Sequence, residues 1–209
     1  MPLDRPIVIA TALELLDEVG LDALTLRRLA EKLKVKAPAI YWHFKNKQDL
    51  LDEMATVVFG AESQRLNLHK SLPWDAWARS YGRALRQALL RYRDGARMVS
   101  GTRLTDPSLY ASMETALKKL TDAGFSSYMA TVILSTIYSY VIGFVIEEQA
   151  VVSKSGQVAE PYLPENRSRR IDSKKTPLAL EVGEFLFRDF DRRFNSGLKL
   201  IVKGVKTAN

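Results

Sequence analysis

Cysteine is absent from this chain of 209 residues, which excludes disulfides and thiolate metal sites. Histidine is scarce. His43 and His69 are the only two, too far apart in sequence and setting to suggest a catalytic triad or a metal cluster. No uninterrupted apolar stretch approaches the roughly 20 residues that a membrane-spanning helix needs. The longest candidate, Met129 to Ile146, carries Ser135, Thr136, Tyr138, Ser139 and Tyr140 and reads as a buried helix. The apolar run at the N-terminus is interrupted by acids, so no signal sequence is expected. Nor is there sustained alternation of apolar and polar residues, which argues against strands. A cytoplasmic protein with no membrane segment, no metal and no cofactor is expected. The glycine spacing in 94–101 is too weak a signal for phosphate binding.

The chain does contain ample core-forming residues and a positive balance. An apolar fraction of 46% with 26% charged residues is that of a globular protein. The formal charge of +7 favours anionic partners but does not identify one. Its distribution says more. Residues 1–60 hold eight bases and nine acids, and seven of those bases fall between Arg27 and Lys47, beside a single acid, Glu31.

The period of 3.6 runs through nearly every segment, so the fold class is all-α. A first helix is expected from about Asp4 to Val19, stopped at Gly20. A second runs from Thr25, a good N-cap, to Leu33. A third begins near Lys36 with Pro38 in its first turn. A fourth, capped by Asn46, reaches about Arg65. Further helices are expected over Trp74–Arg91, from Pro107 through Leu120 to an end at Gly124, and from Ser126 to Ala150, with a short or broken helix in 94–105. Residues 151–176, with Pro161, Pro164, Gly156 and six bases, read as a mobile surface loop. One last helix is expected from Pro177 to Val205, with Phe187, Phe190, Phe194, Leu198 and Ile201 on one face. Two long apolar helices near the C-terminus exceed what one small domain buries, so a homodimer is expected.

Residues 25–47, TLRRLAEKLKVKAPAIYWHFKNK, form a helix-turn-helix with its charge focused where two short helices meet. Arg27 can reach a guanine edge. Lys36, Ala37, Pro38 and Ala39 form the tip of the recognition helix, and the two alanines can touch thymine methyls but donate no hydrogen bond. Tyr41, His43, Lys45 and Lys47 are placed to hold phosphates. Arg28 is open between a phosphate contact and a surface ion pair. Trp42 can both pack and touch the DNA backbone, and Phe44 is assigned to the core.

Here the chain resembles the TetR family of bacterial repressors, in ALELLDEVG, LTLRRLAEKLKV and YWHFKNKQDLL. Its later segments RDGARMVSGTR, DAGFS, GFVIEEQ and FNSGLKLIVKGV resemble the tetracycline repressor subgroup. The resemblance implies an all-α homodimer with a helix-turn-helix domain over residues 1–46. A ligand-binding and dimerising domain would cover 47–209, its first helix acting as connector. Two such heads would read a near-palindromic operator in double-stranded DNA, with half-sites roughly 34–36 Å apart. The subgroup carries polar residues where Ala37 and Ala39 stand, so its operator is not expected here.

In that subgroup drug and magnesium bind inside the body. Its two histidine positions are matched here by Ser63 and Val99, and its drug-anchoring asparagine by Tyr81. The neighbouring phenylalanine is Leu85 and a pocket glutamine is Ala116, while Thr102, Arg103, Leu117 and Glu147 are retained. Serine and valine cannot replace imidazole as ligands to a divalent cation. A more apolar cavity is therefore expected, lined by Leu66, Tyr81, Leu85, Val99, Met113, Leu117, Leu134 and Tyr138, although each of these also suits plain core packing. Arg103 and Glu147 are open between ligand contacts and structural ion pairs. The function expected is a repressor released from DNA by a small apolar or aromatic inducer. Alternatives are an activator or a constitutive architectural DNA-binding protein. An enzyme is not expected, because no nucleophile–base pair or metal cluster is visible.

Overall fold

The computed structural model describes residues 4–66 and 71–207, and within these the side chains of 62–66, 184, 206 and 207 lie outside the description. The N-terminal half of the fold is α1 (Arg5–Ala23), α2 (Leu26–Lys32), α3 (Ala37–Tyr41) and α4 (Lys47–Leu66). The remainder is α5 (Trp74–Leu90), α6 (Gly95–Val99), α7 (Leu109–Thr121), α8 (Ser127–Val151), α9 (Pro164–Ser168), α10 (Pro177–Leu186) and α11 (Phe190–Thr207). No strand occurs among the described residues, only an isolated bridge between Val152 and Val158.

Local chemistry sets the helix ends. The Thr25 hydroxyl accepts the Arg28 N–H, and the Ser126 hydroxyl accepts that of Met129. Asn46 Oδ1 accepts the Asp49 N–H while the Asp49 carboxylate reaches back to the Lys45 N–H, so α4 starts from a reciprocal cap. Lys34, in the left-handed region at φ 56°, makes the tight turn between α2 and α3. These two helices and α1 close around Leu16, Leu29, Ile40 and Phe44, all fully buried.

In the body α8 is the central element, packed against α5, α6, α7 and α11. Gly82 lets α11 approach α5, since a Cβ there would meet a Leu198 methyl at 2.8 Å. Beside this contact Arg86 of α5 binds both carboxylate oxygens of Glu148 on α8, at 2.6 and 2.8 Å, and Asp191 on α11 at 2.6 Å. Its guanidinium also lies 4.9 Å from the Phe194 ring centre. One buried cation thereby ties three helices.

Three expectations need correction. The segment 151–176 carries its own structure: the Val152–Val158 bridge, a 3-10 turn at Glu160–Tyr162 and α9. The last helix is two helices. Phe187 has left the helical region at φ −116°, and the Asp189 carboxylate accepts the Arg192 N–H as the cap of α11. Phe187 accordingly leaves the expected stripe and packs on Tyr162 and beneath Arg167. Finally, α8 is by length and composition apolar enough to cross a membrane, and it is buried on one side only. Ile133, Ile137 and Val141 face the core, whereas Tyr128 and Val132 are exposed.

Candidate nucleic-acid face and ligand cavity

The second helix of the helix-turn-helix, α3, has only five residues, so its outward side is short and crowded with the side chains that follow it. Lys36, Pro38, Tyr41 and Lys45 are exposed, and Ala37, Ala39 and His43 are half-buried. Chain direction at the end of α3 separates the aromatic cluster. Phe44 turns fully inward and Trp42, 89% exposed, stands in solvent, so Trp42 does not pack into the core. Arg27 projects from the first turn of α2 and, among the described residues, is held only by an exposed i,i+4 pair with Glu31 at 3.3 Å. Such a pair contributes little and is readily exchanged.

Two of the expected DNA-contacting bases also hold backbone carbonyls. Arg28, an exposed side chain, donates from one guanidinium nitrogen to the Ala23 carbonyl at 3.3 Å and binds no acid among the described residues. Lys47 donates to the Leu21 carbonyl and is half-buried, so it ties the start of α4 to the end of α1.

Several acids at the base of the head are already engaged. Asp17 accepts from Lys154 and from the Arg93 N–H, and Asp22 binds Arg97 at 2.9 Å. The Arg97 guanidinium holds the Asp22 carboxyl below the usual carboxylate range. Glu18 binds Lys32, Glu53 binds Arg5, and Asp52 binds Arg103. Asp17, Asp22 and Asp52 are thus engaged by body residues, while Glu18 takes Lys32 and Glu31 takes Arg27 on α2 itself. Lys36 and Lys45 stay exposed with no carboxylate bound to either ammonium among the described residues, which is the polarity a phosphate backbone requires.

The body contains a cavity of about 920 Å³. Phe59 of α4, Trp74, Trp77, Tyr81 and Leu85 of α5, and Leu134 and Tyr138 of α8 form its walls. Leu109, Met113, Ala116 and Leu117 of α7 close another side, with Thr102 and Leu104 from the segment after α6. Ser112, Thr115, Thr131 and Ser135 add hydroxyls, and Lys118, Lys119, Asp122 and Ala123 lie at the end of α7. The Trp77 and Tyr81 rings stack with centres 5.7 Å apart and planes within 8°. Burial, with a smaller contribution from neighbouring Tyr138, pushes the Tyr81 phenol up to about 12, and burial also raises Tyr138. Both remain hydroxyls at neutral pH.

The structure thus brings together Tyr81, Leu85, Thr102, Met113, Leu117, Leu134 and Tyr138 of the expected ligand set, with Ala116 beside them. Val99 is fully buried in the core and does not line the cavity. Arg103 also lies outside it, its side chain 78% exposed and bound to the buried Asp52 carboxylate at 2.9 Å. Glu147 is on the exposed side of α8, and it is its neighbour Glu148 that is buried, by Arg86. The Ser63 and Leu66 side chains, and all of His69, lie outside the described residues. Sequence reasoning missed Phe59, Trp74, Trp77 and Leu104 as wall residues. The 74, 77, 81, 85 spacing on α5 was the available signal.

The described lining suits no divalent cation. It contains no imidazole, and its one carboxylate, Asp122, is already bound to Lys118 at 2.8 Å. Among the described residues no three histidine or acidic side chains gather as a metal site.

The two regions meet along 93–105. The Arg93 N–H binds Asp17, the Leu21 N–H donates to Asp94 at 2.9 Å, and Arg97 binds Asp22. Gly20 sits against this contact at φ 78°, where a Cβ would come within 3.0 Å of the Asp94 carboxylate. Further along, Arg103 and Thr105 bind Asp52 and Thr56 of α4. Burial opposes ionisation of Asp52, but hydrogen bonds from Gln48 and Arg103 hold its carboxyl below the usual range.

Residues 8–54 match the family profile described as bacterial regulatory proteins, tetR family, and residues 70–208 match tetracyclin repressor-like, C-terminal domain. The chain is 38% identical over 207 residues to the tetracycline repressor protein class C of Escherichia coli, covering 98% of this chain and 91% of that one. It superposes with a TM-score of 0.86 on a possible TetR family transcriptional regulator from Streptomyces coelicolor A3(2), at 33% identity over 99% and 100% of the two chains. A TetR variant from Acinetobacter baumannii AYE, solved in complex with minocycline, gives a TM-score of 0.75 at 35% identity, covering 99% and 98%.

Proposed function

Because the chain belongs to the TetR family of bacterial transcriptional regulators, which are not enzymes, we propose that it acts as a homodimeric repressor released by a cavity ligand. In this reading two heads occupy successive major grooves of a near-palindromic operator in cytoplasmic DNA. Arg27 and the tip Lys36–Ala39 meet base edges, while Tyr41, Trp42, His43 and Lys45 meet the backbone. Partnering is supported by apolar side chains left in solvent on α8 and α10, among them Tyr128, Leu178, Val182 and Phe185.

The observation that carries the reading is the position of one segment. Thr102 and Leu104 border the cavity, their neighbours Arg103 and Thr105 bind α4, and α6 just before them is docked on the head. A ligand that moves this segment moves the start of α4 and with it the spacing of the heads. To reverse a 99:1 preference for the DNA-competent state, it must bind the released state about 10⁴-fold more tightly, roughly 5.5 kcal/mol. The inducer is a largely apolar or aromatic molecule bound without magnesium, since the described lining supplies no imidazole and no free carboxylate. A constitutive architectural protein has no need of a 920 Å³ cavity coupled to its head.

The test is a footprint on the DNA flanking this protein's own gene, repeated with candidate aromatic compounds. A protected palindrome that disappears with one compound is expected. A compound that binds tightly and leaves the footprint intact refutes the mechanism.

A further inference from the structure

The cavity is apolar except at a few points, and two of these are the phenols of Tyr81 and Tyr138. Both line the cavity, and they are neighbours across it on α5 and α8. Neither hydroxyl has a hydrogen-bond partner among the described residues, whereas the third tyrosine of this region, Tyr140, donates to the Phe194 carbonyl at 3.0 Å. Both tyrosines are half-buried, and a tyrosine turned into the protein ordinarily finds a partner for its hydroxyl. Each phenol is also fixed in place by its ring, Tyr81 stacked on Trp77 and Tyr138 against Phe59 with centres 6.4 Å apart. The charged groups of the lining, Lys118, Lys119 and Asp122, are confined to the end of α7, where Lys118 and Asp122 bind each other.

From this arrangement we infer that Tyr81 and Tyr138 are the polar anchor of the inducer site, and that they select an uncharged aromatic molecule bearing a hydroxyl or carbonyl oxygen. A phenol both donates and accepts, so a neutral oxygen group is complementary to the pair. An anion would have to shed its water against the apolar walls beside the phenols, because the lysines of the lining stand at the end of α7. A purely hydrocarbon ligand would fill the walls and leave both hydroxyls unserved, which is how a site built for hydrogen bonding rejects an analogue lacking the group. The cavity volume admits a fused-ring molecule at the upper end of ordinary small-molecule sites. The inference rests on the cavity being the ligand site proposed above.

The experiment titrates the full chain with two probes of equal shape, 9-phenanthrol and 9-methylphenanthrene, and follows the quenching of Trp74 and Trp77. Wild type should bind the phenanthrol about tenfold more tightly, the effect of roughly one net hydrogen bond. Tyr81→Phe and Tyr138→Phe should each reduce phenanthrol affinity severalfold and together abolish the preference. Both should leave 9-methylphenanthrene binding unchanged, which also shows that the variants are folded. If wild type binds the two probes equally and neither substitution matters, the phenols are not the anchor although the cavity still takes aromatic ligands. If neither probe binds wild type, the ligand-site reading falls, and the anchor with it.

Discussion

In the head the aromatic side chains next to the binding surface stand in solvent, and in the body they turn inward. Trp42 is 89% exposed at the end of α3, while Trp77 on α5 is 4% exposed and stacked against Tyr81. The head displays charge and flat rings on a rigid three-helix base, so most of its working residues contribute little to folding. The body makes its site from the residues that also make its core. Removing a side chain from the first surface should cost binding alone, whereas truncating a wall side chain of the second to alanine should disturb stability and binding together. Segment 93–105 belongs to both regimes, since it is held by exposed ion pairs to the head and by a buried carboxylate to α4.

The largest effect that would sharpen this contrast lies in the body. Arg86→Leu leaves the buried Glu148 carboxylate without its cation, and urea denaturation should report a loss of about 3–5 kcal/mol. A loss below about 1 kcal/mol would mean that α5, α8 and α11 are not held as described. In the head, Arg27→Ala should cost roughly 1–3 kcal/mol of DNA affinity at one base pair and leave the melting temperature unchanged. Equal weakening on every sequence would remove Arg27 from base reading. Lys45→Ala should weaken binding on all sequences alike and lower the salt slope of log K by about one. Lys47→Ala is the contrasting case: its ammonium holds the Leu21 carbonyl, so the thermal stability of the head should fall as well.

The smallest effect concerns the junction. Asp52 is held below the usual carboxylate range, so its stabilisation is complete above about pH 4 and declines as the pH falls through the depressed value. Asp52→Asn should be less stable than wild type at pH 7, with the gap closing on acidification. A gap that widens toward low pH would contradict the pairing with Arg103.

Particular residues explain how far the sequence could be read. Thr25, Ser126 and Asn46 cap where local chemistry says they should, and the 190, 194, 198 spacing reports the buried face of α11 correctly. Signals of this kind act within a few residues. The adjacent acids Glu147 and Glu148 cannot be told apart that way, because the arginine that buries one of them is 62 residues away. Trp42 and Phe44 are separated only by the turn that ends α3. The break before α11 did have a local sign, the cap at Asp189, but the continuing phenylalanine spacing obscured it. The cavity wall was partly legible as a helical stripe on α5, which by itself does not distinguish a lining from a core.

The coupling of cavity to head can be tested by one measurement: fluorescence anisotropy of labelled operator DNA as inducer is added, for wild type and for Ala116→Trp, which fills the cavity from α7. Wild type should release the DNA at saturating inducer, and the filled variant should bind DNA comparably and stay bound. Release of both proteins at the same inducer concentration, or retention of DNA by wild type with its cavity demonstrably occupied, would contradict the account.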